Sequence, residues 1–200
     1  MTLVIASRNC GKIAEISALL KGLDVFILPL DRVGPVEVPP ESGDSFQANA
    51  RLKAVAVSRA TGYFCVADDS GLEVDALGGD PGVFSARFGG PSATDADRNR
   101  MILDRMAGVP PERRTARFRC VIAVADPAGP VYEGEGTCEG VITLSPRGQH
   151  GFGYDPIFEI PSLGRTLAEV DPEEKNRLSH RAKAMARARE ILREILGIRI

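Results

Sequence analysis

The chain has 200 residues, 44% of them hydrophobic and 26% charged, with 21 glycines: a globular composition, long enough to bury one sizeable core. Lysine and arginine number 25 against 27 aspartates and glutamates, a net charge of −2, so no globally basic surface points to nucleic acid as a partner. Cys10, Cys65, Cys120 and Cys138 form no C-x-x-C pair and the only histidines are His150 and His180, which argues against a disulfide scaffold or a structural zinc and excludes a three-histidine metal site.

The N-terminal "MTLVIASRNCGK" has an apolar run too short for a signal segment or a membrane span, so the expectation is a cytoplasmic chain with no membrane partner. "LVIAS" reads as a short buried strand, and "GKIAEISALLKG" as a helix with Ile13, Ile16, Leu19 and Leu20 on its apolar side and Gly22 at its end. "VFIL" is a second strand, and the Pro-rich "VGPVEVPPESG" is a loop within the domain. "DSFQANARLKAVAVSRATG" carries Phe46, Ala50, Lys53, Ala54 and Val57 at helical spacing until Gly62 stops it. "YFCVAD" returns as a strand, and a helix is expected from about Thr94 to Met106 after the glycine-rich 76–91 stretch. "ARFRCVIAVAD", "VYEGEGTCEG" and "VITL" then read as three antiparallel strands. At "DPEEKNRLSH", Asp171 is a natural N-cap, Pro172 sits at the first helical position and Glu174 at the capping-box position. A break near Ser179 would bring Lys175, His180 and Arg181 to one helix N-terminus, whereas an uninterrupted helix would point Lys175 and His180 apart. The sum is a single α/β domain over residues 1–200, a mixed sheet in which early and late strands take part, with helices packed on it.

Four stretches carry chemistry. "SRNCGK" lies where a strand ends and a helix begins, so free backbone N–H groups and the donors of Ser7, Asn9 and Lys12 either cradle a phosphate or simply connect two elements. In "VADDSG", Asp68 and Asp69 are adjacent carboxylates at an expected strand end, either a pair whose repulsion a cation relieves or a solvated turn. Glu41 either complements the dipole of the following helix or joins Asp69 on a hard divalent ion such as Mg²⁺, which needs few protein oxygens when phosphates and water supply the rest. In "GQHGFGYDPIF", Phe152 between two glycines is the candidate to stack on a planar base, while Tyr154 and Phe158 read as core.

Taken in order, "SRNCGK", "ESGDSFQANARLKA", "ADDSGLEVDALGGDPGVFSARFGG", "GFGYDPIF" and "EEKNRLSHRAKA" resemble the inosine triphosphate pyrophosphatase family, also called Ham1-like, over nearly the whole chain. The resemblance implies a long mixed sheet with flanking helices in two lobes around a cleft. It also implies a homodimer, and Mg²⁺-assisted hydrolysis of ITP, dITP and XTP to the monophosphate and pyrophosphate. By position it gives Ser7, Arg8, Asn9, Cys10, Gly11, Lys12 and Lys175 to the triphosphate, Glu41 and Asp69 to the metal, and Asp69 also to the attacking water. Ser70 joins the nucleotide contacts, Asp68 supports the site, and Phe152, Gly153, Tyr154, Asp155, His180 and Arg181 go to the base. The chain departs from the family pattern at Ser7 and Arg8, where Thr and Gly are usual, and at Ala48, often Glu; Arg8 lacks a glycine's freedom at a turn. A Maf-like pyrophosphatase of modified pyrimidines and a non-catalytic nucleotide-binding module are the alternatives.

Overall fold

A computed structural model describes residues 1–197. Seven strands form one sheet: β1 (Thr2–Ile5), β2 (Phe26–Pro29), β3 (Phe64–Val74), β4 (Thr115–Ala125), β5 (Val131–Ile142), β6 (Phe158–Ile160) and β7 (Arg165–Thr166). Their order is β2-β1-β3-β4-β5-β6-β7, parallel where β1 meets β2 and β3, antiparallel where β6 meets β5 and β7, so the sheet is mixed as expected. The helices are α1 (Cys10–Leu19), α2 (Phe46–Thr61), α3 (Asp95–Arg105), α4 (Pro172–Leu178) and α5 (His180–Ile195).

The packing divides into two compact units. The first comprises Met1–Asp69, Cys120–Gly136 and the chain from His180 onward. Its core joins Leu3, Ile5 and Val66 of the strands to Ile16 of α1 and Met185, Ala188 and Leu192 of α5. The second comprises Ser70–Arg119 and Thr137–Ser179, with a core in which Ile102, Phe118, Tyr154, Ile157 and Phe158 pack together.

Helix ends follow the local chemistry of the sequence. Ser45 caps α2 by accepting from the Ala48 N–H, and Gly62, at φ +70°, ends it in the left-handed conformation. Thr94 and Asp97 form a reciprocal capping box at the start of α3. Asp171 caps α4 as expected, but the Glu174 carboxylate is spent on the Arg165 guanidinium, at 2.8 and 2.9 Å. The break at Ser179 is present: its backbone is extended, at φ −69° and ψ 159°, between α4 and α5. Of the four thiols only Cys10 is exposed, and burial pushes both Cys65 and Cys120 up to about 12.

Two strands are longer than expected. "VITL" is no separate strand, because Val141 and Ile142 continue β5. Two glycines inside β5 allow close packing. A Cβ on Gly134 would lie 2.7 Å from the Ala184 carbonyl oxygen, and one on Gly136 would lie 2.1 Å from that of His180. Both positions belong to one face of β5, so α5 rests with its backbone almost on the strand. The second correction is larger: β3 does not end at Asp68 but runs on to Val74, so "DDSG" is strand interior rather than a turn. Leu72 and Val74 are fully buried, and that apolar continuation outweighs the turn propensity of the four polar residues.

Gly136→Ala should therefore lower the unfolding free energy by about 3 kcal/mol through overpacking of β5 against α5. Urea unfolding reads this, and a stability equal to that of the parent would show that α5 can yield at no cost.

Candidate functional site

Successive strand residues point to opposite faces, so the adjacent carboxylates of β3 have different direct partners although Lys53 and Lys12 act on both. Asp68, 1% exposed, is met by cations from α1 and α5: Lys12 Nζ at 3.1 Å, and Arg181 Nε and Nη2 at 3.2 and 2.9 Å. Burial alone would raise the Asp68 carboxyl, but Lys12, Arg181 and Lys53 together hold it well below the usual carboxylate range. Arg181, itself 1% exposed, also donates to the Glu15 carboxylate of α1. Burial would lower Arg181, and Asp68 leads the groups that keep its guanidinium firmly charged.

Asp69, 3% exposed, is met from α2: Asn49 Nδ2 donates to its Oδ2 at 2.9 Å. Burial raises its carboxyl above the usual value, Lys53 opposes that, and the Glu41 carboxylate adds to it. Lys53 donates from Nζ to Glu41 Oε1 and to the Asp68 carbonyl oxygen, each at 2.6 Å. Burial would lower Lys53, but Asp68, Glu41 and Asp69 together raise it, so it remains an ammonium. The neighbours are thus split chemically: Asp68 is locked as an anion, and Asp69 is the stronger base of the two.

The Ser7–Lys12 stretch precedes and opens α1. Asn9 accepts from the Lys12 N–H at 3.0 Å as the N-cap, and Ser7 Oγ accepts from the Asn9 N–H at 3.2 Å. The capping role of Asn9 is real, and it aims the first N–H groups of α1 out of the loop. Arg8, Asn9 and Cys10 are exposed, and Ser7, Gly11 and Lys12 are half-buried.

In the second unit, Ser70 follows Asp69 on β3 and is half-buried. Asp155 Oδ2 accepts from the Phe152 N–H at 2.9 Å and from Lys175 Nζ, which lies 4.8 Å from the centre of the half-buried Phe152 ring. Tyr154 has its ring in the core and its hydroxyl donates to the Ser85 carbonyl at 2.8 Å, so its side chain serves packing, as the sequence reading of Tyr154 as core expects. His180 and Arg181, both buried, open α5 in the first unit, whereas Lys175 lies on α4 in the second.

Sequence reasoning had not given Lys53, Asn49 or Glu15 a place in the site. For Lys53 a signal was present, since a lysine at helical spacing among Phe46, Ala50, Ala54 and Val57 occupies a core-facing position and must have an anionic partner there. Among the described residues no cluster of three or more His, Cys, Asp or Glu is placed to hold a metal. Glu41 and Asp69, two oxygen donors whose charges repel, fit magnesium, which accepts one or two carboxylates when phosphates complete its shell.

A model of the Ham1 family matches residues 3–191. A protein of Geobacillus kaustophilus named dITP/XTP pyrophosphatase is 50% identical over 98% of this chain and 96% of its own length. One of the same name from Desulforamulus reducens is 47% identical over 98% and 97%. The solved structure of a HAM1 protein from Coxiella burnetii superposes with a TM-score of 0.88 at 42% identity, covering 97% of this chain and 99% of that one.

Arg181→Met should cost about 3–5 kcal/mol in urea unfolding, because it leaves the buried Asp68 carboxylate to Lys12 and takes the guanidinium partner from Glu15. Asp68 binds its proton in the folded state only well below the ordinary value of about 3.9, so its contribution is complete above that value and is lost as pH falls beneath it. Asp68→Asn should accordingly flatten the acid limb of stability against pH; parallel curves for parent and variant would contradict this.

Proposed function

The chain belongs to the Ham1 family, and from that membership and the geometry of β3 we propose that it hydrolyses non-canonical purine nucleoside triphosphates to the monophosphate and pyrophosphate. Two relatives carry the names of dITP and XTP as substrates, and ITP belongs to the same 6-oxo purine class. The observation that carries the reading is the division between Asp68 and Asp69: one buried anion fixed by Lys12 and Arg181, the other held by Asn49 and raised above the usual carboxylate value by burial and by Glu41, against the pull of Lys53.

Asp69 takes a proton from water as the water oxygen bonds to the α-phosphorus. The bond from that phosphorus to the bridging oxygen breaks, and pyrophosphate leaves with the electron pair. The N-terminus of α1 offers backbone N–H groups to the phosphates, and Lys12 adds a cation. Magnesium, held by Glu41 and Asp69, would neutralise phosphate charge and lower the pKa of the attacking water. Lys53 holds the Glu41 carboxylate in place. Family resemblance assigns Lys175 to the same triphosphate, and Phe152 to Asp155 with His180 and Arg181 to the base. Donors facing a 6-oxo group leave the adenine amino group opposite other donors, which disfavours ATP. A homodimeric state and a cytoplasmic location belong to the same proposal.

The deciding experiment is product analysis on ITP, XTP, GTP, ATP and dUTP with magnesium, alongside Asp69→Asn and a chelator. IMP or XMP with pyrophosphate is expected, with ATP spared, and the rate should fall at least about a hundredfold in the variant. Chelator should abolish it. Single-phosphate release would refute attack at the α-phosphorus, preferred cleavage of dUTP would favour the pyrimidine reading, and no cleavage at all would leave a binding module.

A further inference from the structure

Phe152 sits in a loop, and a ring on a loop stacks well only if the backbone beneath it is held. The residue after it is held by one helix. Asp95, the first residue of α3, accepts the Gly153 N–H at 2.8 Å through Oδ2. Asn99, one turn further on the same helix face, donates from Nδ2 to the Gly153 carbonyl at 3.1 Å. Both hydrogen-bonding groups of Gly153 are thus satisfied by two side chains of α3 rather than by the sheet.

We propose that Asp95 and Asn99 are positioning residues that clamp Gly153 and so present the Phe152 ring to the purine base, a role that rests on the substrate reading above. The clamp stands on a fixed helix start, since Thr94 and Asp97 close the capping box immediately around Asp95. The Asp95 bond is charge-assisted, and Asn99 is 5% exposed, which shelters its contact from competing water. Gly153 adopts φ +64° with open space where a Cβ would lie, so glycine serves the backbone turn there and not a tight contact. From the other side, Asp155 takes the Phe152 N–H, so the peptides on both sides of the ring-bearing Cα are tethered.

The chain contains no tryptophan, so Phe152→Trp supplies a single fluorescent reporter at the ring position. In that background Asn99→Ala and Asp95→Ala should lower the steady-state anisotropy of the reporter, and Asp95→Asn, which keeps an acceptor, should restore most of it. With Phe152 intact, Asn99→Ala should raise KM for ITP about tenfold, within the range of lost base–aromatic stacking, with kcat within about twofold. The inhibition constant of inorganic tripolyphosphate, which has no base to stack, should not move. Unchanged anisotropy overturns the clamp. So does a lowered anisotropy with unchanged KM, or an equal weakening of ITP and tripolyphosphate, which would mark general damage. If the parent chain cleaves no purine triphosphate the substrate reading fails by itself, and the anisotropy series still upholds or overturns the clamp.

Discussion

Two ionised carboxylates on consecutive residues of a buried strand impose a condition on everything around them. Each must be supplied with cations or donors on its own face of the sheet, because an unpaired buried charge costs more than a strand of this length can offset. In the first unit α1 and α5 supply one face through Lys12 and Arg181, and α2 supplies the other through Asn49 and Lys53. Glu15 and Glu41 then balance the cations that were brought in. The approach of α5 to the strands, permitted by Gly134 and Gly136, is part of the same solution, because Arg181 lies in its first turn.

Unequal surroundings turn that structural necessity into chemistry. The face with more cations makes a permanent anion, and the face with an amide, one shared ammonium and a competing carboxylate makes a base. In the proposed hydrolysis the first holds Lys12 and Arg181 in place and the second takes the proton from water. The second unit shows a parallel economy: the Asp155 carboxylate orders the Phe152 N–H and Lys175 together, so a cation and an aromatic face are fixed by a single group.

Much of this was legible in the sequence. Element types and several helix ends could be read because caps and stops act locally: Gly62 and Asp171 decide their own neighbourhoods, and the structure takes the broken alternative at Ser179. The length of β3 could not, since its continuation through "DDSG" depends on partners from three helices distant in sequence. For the same reason Lys53 read as a member of a helix face, when its burial signalled a required anion. The Asp95 and Asn99 contacts with Gly153 lie beyond any local pattern, because they join residues more than fifty positions apart.

The thiols lead to a different kind of consequence. Burial pushes Cys65 and Cys120 well above the ordinary thiol range, so both stay protonated at neutral pH, and the same burial withholds them from reagents. Cys138 is buried too, which leaves Cys10 as the exposed sulfur. Oxidants that convert surface thiols to sulfenic acids thus meet this fold at one point, the first residue of α1, and its interior sulfur is kept as inert packing atoms.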